Sequence, residues 1–96
     1  MSLDYTSQSI TVTESPPTLF AAGLKVKGRW AVDLTWSGTV KPVDIYRDGV
    51  LIAAAVPSDP ASYRDLTGEK AKGLSFTYEA CIAGTVNCSE PVTVSF

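Results

Sequence analysis

From Leu19 to Phe96, apolar and polar side chains alternate almost everywhere with the period of a β-strand. In Trp30-Ala31-Val32-Asp33-Leu34-Thr35-Trp36 the large apolar side chains fall on every second residue, so Trp30, Val32, Leu34 and Trp36 share one face. Val43 and Ile45 alternate with Asp44 and Tyr46, and after Asp48-Gly49 the apolar run Val50-Leu51-Ile52-Ala53 returns. Asp-Gly between two such runs predicts a tight hairpin, because glycine accepts a positive φ at little steric cost. Phe76, Tyr78, Ala80 and Ile82 continue the alternation, and Val92, Val94 and Phe96 close it. No window sustains a helical period, and Gly and Pro recur at short intervals.

The pattern predicts strands over 19–27, 30–36, 42–48, 50–56, 61–65, 74–83 and 87–96. Seven short strands, each apolar on one side, cannot bury those sides in a single open sheet; two sheets packed face to face can. The expected fold is therefore all-β, a seven-stranded antiparallel immunoglobulin-like sandwich. Residues 1–18 are rich in Ser and Thr and end near Pro16-Pro17, which lacks backbone N–H groups for a ladder. They read as a linker or an added N-terminal segment, with Ile10 and Val12 enough for a short edge strand, and residues 19–96 as the domain. Met1-Ser2-Leu3 reads as an added start on an excised fragment, with no export signal in residues 1–20, so the expectation is an accessory module.

Composition narrows the function. The chain has 96 residues, 8 Lys+Arg, 10 Asp+Glu and a formal charge of −2, which provides no basic field to gather nucleic acid. No apolar run approaches the ~20 residues of a membrane-spanning helix, so no membrane insertion is expected. With no His, the commonest general base and the commonest metal ligand are both missing. The carboxylates Asp33, Asp44 and Glu79 alternate with core residues, and the rest read as outward or turn positions, with no Asp-x-Asp-x-Asp-Gly loop for calcium. The expectation is a chain that is not an enzyme and that carries no metal and no cofactor.

Several phrases resemble a known module. Val32-x-Leu34-x-Trp36 resembles the second strand of a fibronectin type III domain, whose Trp lies in the core. Val43-Asp44-Ile45-Tyr46-Arg47-Asp48-Gly49 resembles the third strand and its turn, and Tyr63-x-Asp65 and Phe76-x-Tyr78-x-Ala80 resemble the fifth and sixth. The resemblance spans residues 19–96. A closer likeness is to the small fibronectin type III-like domains at the C-terminal end of bacterial secreted hydrolases, subtilisin-like serine proteases among them. It rests on Lys25-Val26-Lys27-Gly28, Asp33-Leu34-Thr35-Trp36, Tyr46-Arg47-Asp48-Gly49, Cys81-x-Ala83-Gly84-Thr85-x-x-Cys88-Ser89 and Val92-Thr93-Val94-Ser95-Phe96. Trp30 departs from that pattern, where a smaller or polar residue is expected. The resemblance implies a non-catalytic extracellular appendage.

Three groups of residues are candidates for chemistry or contact. A two-residue turn at Gly84-Thr85 would set Cys81 opposite Cys88, with Cα atoms about 4.5–5.5 Å apart, inside the range of about 4.4–6.8 Å that a disulfide needs. A metal pair or a nucleophilic thiol is the rival reading, and both lack the His that they need. A disulfide implies an oxidising compartment, here secreted or extracellular. Trp30 and Tyr46 are the candidate exposed aromatics: they either stack on a sugar or a partner, or else cover the sandwich end and the disulfide respectively. Lys25, Lys27 and Arg29 are read on one face of one strand, as an anion-binding stripe or as charges that keep an edge strand from pairing with another chain. The expected function is a non-catalytic accessory module of a secreted bacterial enzyme, acting in substrate or surface binding or as a stabilising spacer. Its expected partner is an extracellular polymer, polysaccharide or protein, or the catalytic domain of the parent. The alternative is a structural domain of a bacterial adhesin or surface protein.

Overall fold

The computed structural model describes residues 15–96. The expected edge strand at Ile10 and Val12 lies outside the described residues. The chain is all-β, with strands β1 (Thr18–Val26), β2 (Arg29–Ser37), β3 (Val43–Arg47), β4 (Val50–Val56), β5 (Ser62–Leu66), β6 (Ser75–Ile82) and β7 (Val92–Ser95). They form two antiparallel sheets, in the orders β1-β2-β5 and β4-β3-β6-β7. The fold is β-sandwich-like: the inner faces of both sheets contribute to one apolar core. Leu19, Val32, Leu34 and Trp36 come from the first sheet and Val43, Ile45, Tyr78 and Ala80 from the second.

The alternation explains why this core forms. Register pairs Leu19 with Trp36, Ala21 with Leu34 and Gly23 with Val32, so these six residues project inward. Val43 faces Ile82 and Ile45 faces Ala80 in the same way across the second sheet. At Gly23 the missing side chain is a packing requirement: a Cβ there would stand 2.6 Å from Cε1 of Phe96. Ala31 has the opposite parity yet is fully buried. It is the small member of the cross-strand row Leu24–Ala31–Leu66 on the outer face, where its larger neighbours shade it.

Three local expectations are corrected. The first strand does not run on to residue 27, because Lys27 (φ 52°) and Gly28 (φ 80°) form a two-residue turn that pairs Val26 with Arg29. The last strand is Val92–Ser95, preceded by Pro91, and Cys88 makes only a single bridge. The Cys81–Cys88 register is as expected, but the turn is not centred on Gly84-Thr85. Thr85 N–H donates to the Ile82 carbonyl at 3.0 Å, which places Ala83 and Gly84 (φ 76°) at the bend. The Asp48-Gly49 hairpin has the expected positive φ at both positions, 50° and 81°.

Candidate binding surface

One end of the fold is built by the β1–β2 hairpin and the segment 67–73 after β5. Trp30 N–H donates to the Glu69 carbonyl, and its indole Nε1–H donates to the Ala71 carbonyl, each at 2.7 Å. The half-buried indole stacks on Phe96, with centroids 4.5 Å apart, and Phe96 meets Phe76 edge-on. Trp30 therefore closes the end of the core, and it also lines a groove of about 240 Å3 with Val26, Lys27, Arg29, Leu66 and Gly68.

The expected basic stripe does not exist as a strand face. The Lys27-Gly28 turn puts Lys25 on β1, Lys27 at the tip and Arg29 on β2. Lys25 shares the inward parity of its register partner Trp30 and holds Nζ 4.8 Å from the ring centroid. Arg29 lies on the outer face, where Nη1–H donates to the Gly68 carbonyl at 2.8 Å. The hairpin thus divides the cations between two faces of the sheet.

Tyr46 is half-buried and projects from the outer face of the second sheet, between Leu51 and Glu79 in the register. Asp44, two residues earlier on that face, sits opposite Cys81, so Tyr46 is one diagonal step from the disulfide. Cys81 and Cys88 are bonded as expected, but their Cα atoms are 3.8 Å apart, closer than the expected separation of about 4.5–5.5 Å and below the usual disulfide span of about 4.4–6.8 Å. The flanking bonds, Ile82 N–H to the Asn87 carbonyl and Ser89 N–H to the Ala80 carbonyl, make this a non-hydrogen-bonded pair. That is the closer of the two antiparallel pair types and the one that brings opposed side chains together.

The sequence reading missed a polar network between the sheets. Asp65 was expected at an outward position; instead it is buried on the inner face of β5, opposite Val32. Its carboxylate accepts two bonds from Arg47 Nη1–H, at 2.8 and 3.0 Å, and one from the Tyr78 hydroxyl at 2.7 Å. A buried carboxylate requires such partners, and the opposite sheet supplies both. The available signal was parity: Asp65 is two residues from Tyr63 on β5, and Arg47 is two from Ile45 on β3. Burial opposes the charge on Arg47, but the hydrogen bond and charge of Asp65 outweigh it and hold its pKa above the ordinary value. On the outer face, Arg64 pairs with Asp33, and its hydrogen bond lowers the Asp33 pKa.

Burial first, and then the hydrogen bond to Asp65, push the Tyr78 hydroxyl well above the ordinary tyrosine range. A folded-state pKa raised above the unfolded one favours folding fully below about pH 10 and progressively less as the pH rises beyond it. Melting curves between pH 8 and 12 should therefore fall more steeply above about pH 10 for the wild type than for Tyr78→Phe. Parallel curves would remove Tyr78 from the alkaline response.

Among the described residues, no group of three or more His, Cys, Asp or Glu is placed to hold a metal ion. Among the described residues, no helix is long and apolar enough to cross a membrane. Comparison of the chain with protein-family models, curated proteins and solved structures finds no match.

Proposed function

We propose that the chain is a fibronectin type III-like module of a secreted bacterial enzyme, a subtilisin-like protease or other hydrolase, and that it works by contact, without chemistry of its own. The three-plus-four strand order supports the immunoglobulin-like reading. The disulfide is consistent with an extracellular setting. The observation that carries the reading is how the polar groups are divided. Inside, Arg47, Asp65 and Tyr78 are engaged with one another across the sheets, which is a packing role. Outside, an indole, exposed cations and an apolar groove converge at one end. That distribution suits a surface holding an extracellular polymer or the catalytic domain of the parent enzyme.

Retention on chitin, cellulose, collagen and casein tests this reading. The wild-type chain should be retained on at least one of them, and Trp30→Ala should weaken retention more than Tyr46→Ala, because Trp30 belongs to the groove. Circular dichroism of each variant checks that it is folded. Passage of the wild type through all four materials would contradict the polymer-contact reading.

A further inference from the structure

We propose that the groove beside the β1–β2 hairpin docks an acidic peptide segment by seating one of its apolar side chains. The inference rests on the contact reading above and names the partner's chemistry. Val26 and Leu66 supply apolar walls on the outer face, Trp30 and Gly68 complete the lining, and Lys27 and Arg29 stand at the rim. Leu66 is 63% exposed, although it belongs to a strand and continues the apolar row through Ala31 and Leu24. At about 240 Å3 the groove is smaller than the usual small-molecule pocket of about 300–1,000 Å3 and suits a single anchoring side chain.

Charge indicates the rest of the partner. Among the described residues, Lys25, Lys27 and Arg29 lie at or beside the hairpin turn and Lys70 and Lys72 on the segment 67–73 that hydrogen-bonds to it, where Glu69 is the carboxylate of that segment. Those five are most of the eight basic residues of a chain whose net charge is −2, so this end is positive on an otherwise acidic molecule. The Arg29 guanidinium is already fixed at the rim by the Gly68 carbonyl, which lowers the entropic cost of meeting a carboxylate. A sulfated polysaccharide would meet the cations but leave the apolar walls unfilled. An anionic membrane favours protruding apolar side chains, whereas this site is concave.

The test is a titration with the end-blocked peptide Glu-Asp-Leu-Phe-Asp-Glu at low salt, read by tryptophan emission. Trp30 lines the groove, and Trp36 lies in the core. A saturable change is expected. Leu66→Ser should weaken it roughly tenfold by removing the apolar wall. Arg29→Glu should weaken it about fivefold, with most of that effect lost at high salt. Replacing Leu-Phe by Ser-Ser, or the acidic residues by Lys, should abolish the response. Both substituted side chains are exposed, so unchanged melting temperatures are expected and confirm the fold of the variants. The proposal is overturned by any of three results: no saturable response, wild-type affinity in both variants, or tighter competition by heparin or phosphatidylserine vesicles. Polymer retention that persists without peptide binding removes only the groove. Peptide binding without polymer retention removes only the polymer reading.

Discussion

Trp36→Ala is expected to cost about 3–5 kcal/mol, the largest effect of any single truncation in this chain. Trp36 is 4% exposed and sits in the cluster with Leu19, Leu34 and Ile45. Its loss removes the transfer free energy of the ring and leaves a cavity between two sheets that are held apart by their other side chains. The indole also has a polar end: Nε1–H donates to Ser58 Oγ at 2.7 Å, and that hydroxyl donates to the Lys41 carbonyl. Trp36→Phe keeps most of the volume but loses this link, so it should cost about 1–2 kcal/mol. For a domain of this size, the alanine variant should melt roughly 10–30 °C lower than the wild type. An unchanged melting temperature would contradict the placement of Trp36 in the core.

Asp65→Ala should be the next largest loss, about 2–4 kcal/mol. The substitution leaves the Tyr78 hydroxyl buried without its acceptor and the Arg47 cation facing the gap between the sheets. Arg47 is itself 30% exposed, which lets water screen part of the penalty and places the figure below that of a fully buried pair. Arg47 Cζ lies 5.6 Å from the Phe76 ring centroid, so its side chain also has an apolar contact to retain. Joint replacement of Asp65 by Leu, Arg47 by Met and Tyr78 by Phe should recover most of the stability, because no polar group then remains unpaired. Urea unfolding of the single and triple variants measures both. A triple variant no more stable than Asp65→Ala would show that the network contributes more than mutual satisfaction of its members.

These residues also show which parts of the structure were legible in the chain. Parity located Val32, Leu34, Trp36, Ile45, Tyr78 and Ala80, because each strand has one face on the core and side chains alternate across a strand. Asp48-Gly49 was legible because its chemistry meets the positive φ that the turn demands. Lys27-Gly28 has the same chemistry, but it lies inside a run of alternating residues; read as one continuous strand that run puts Lys25, Lys27 and Arg29 on one face, whereas the two-residue hairpin switches the parity and separates Lys25 from Arg29. Asp65 was misread because a carboxylate normally marks the solvent side. What makes it tolerable inside is Arg47 and Tyr78 on the other sheet, and no local pattern reports a partner so far along the chain. The groove was hidden for a similar reason. Its walls come from β1, β2, β5 and the segment after β5, and that segment follows no period.

The central claim is that this chain acts by contact and not by chemistry, and turnover measures it most directly. The purified chain, with its disulfide intact, should be assayed against protease, esterase and glycosidase substrates and repurified between rounds. With no His in the sequence there is no imidazole to activate Ser or Thr as a nucleophile. The account predicts rates indistinguishable from buffer for all three substrate classes. Hydrolysis that survives repurification and is lost on unfolding would contradict it.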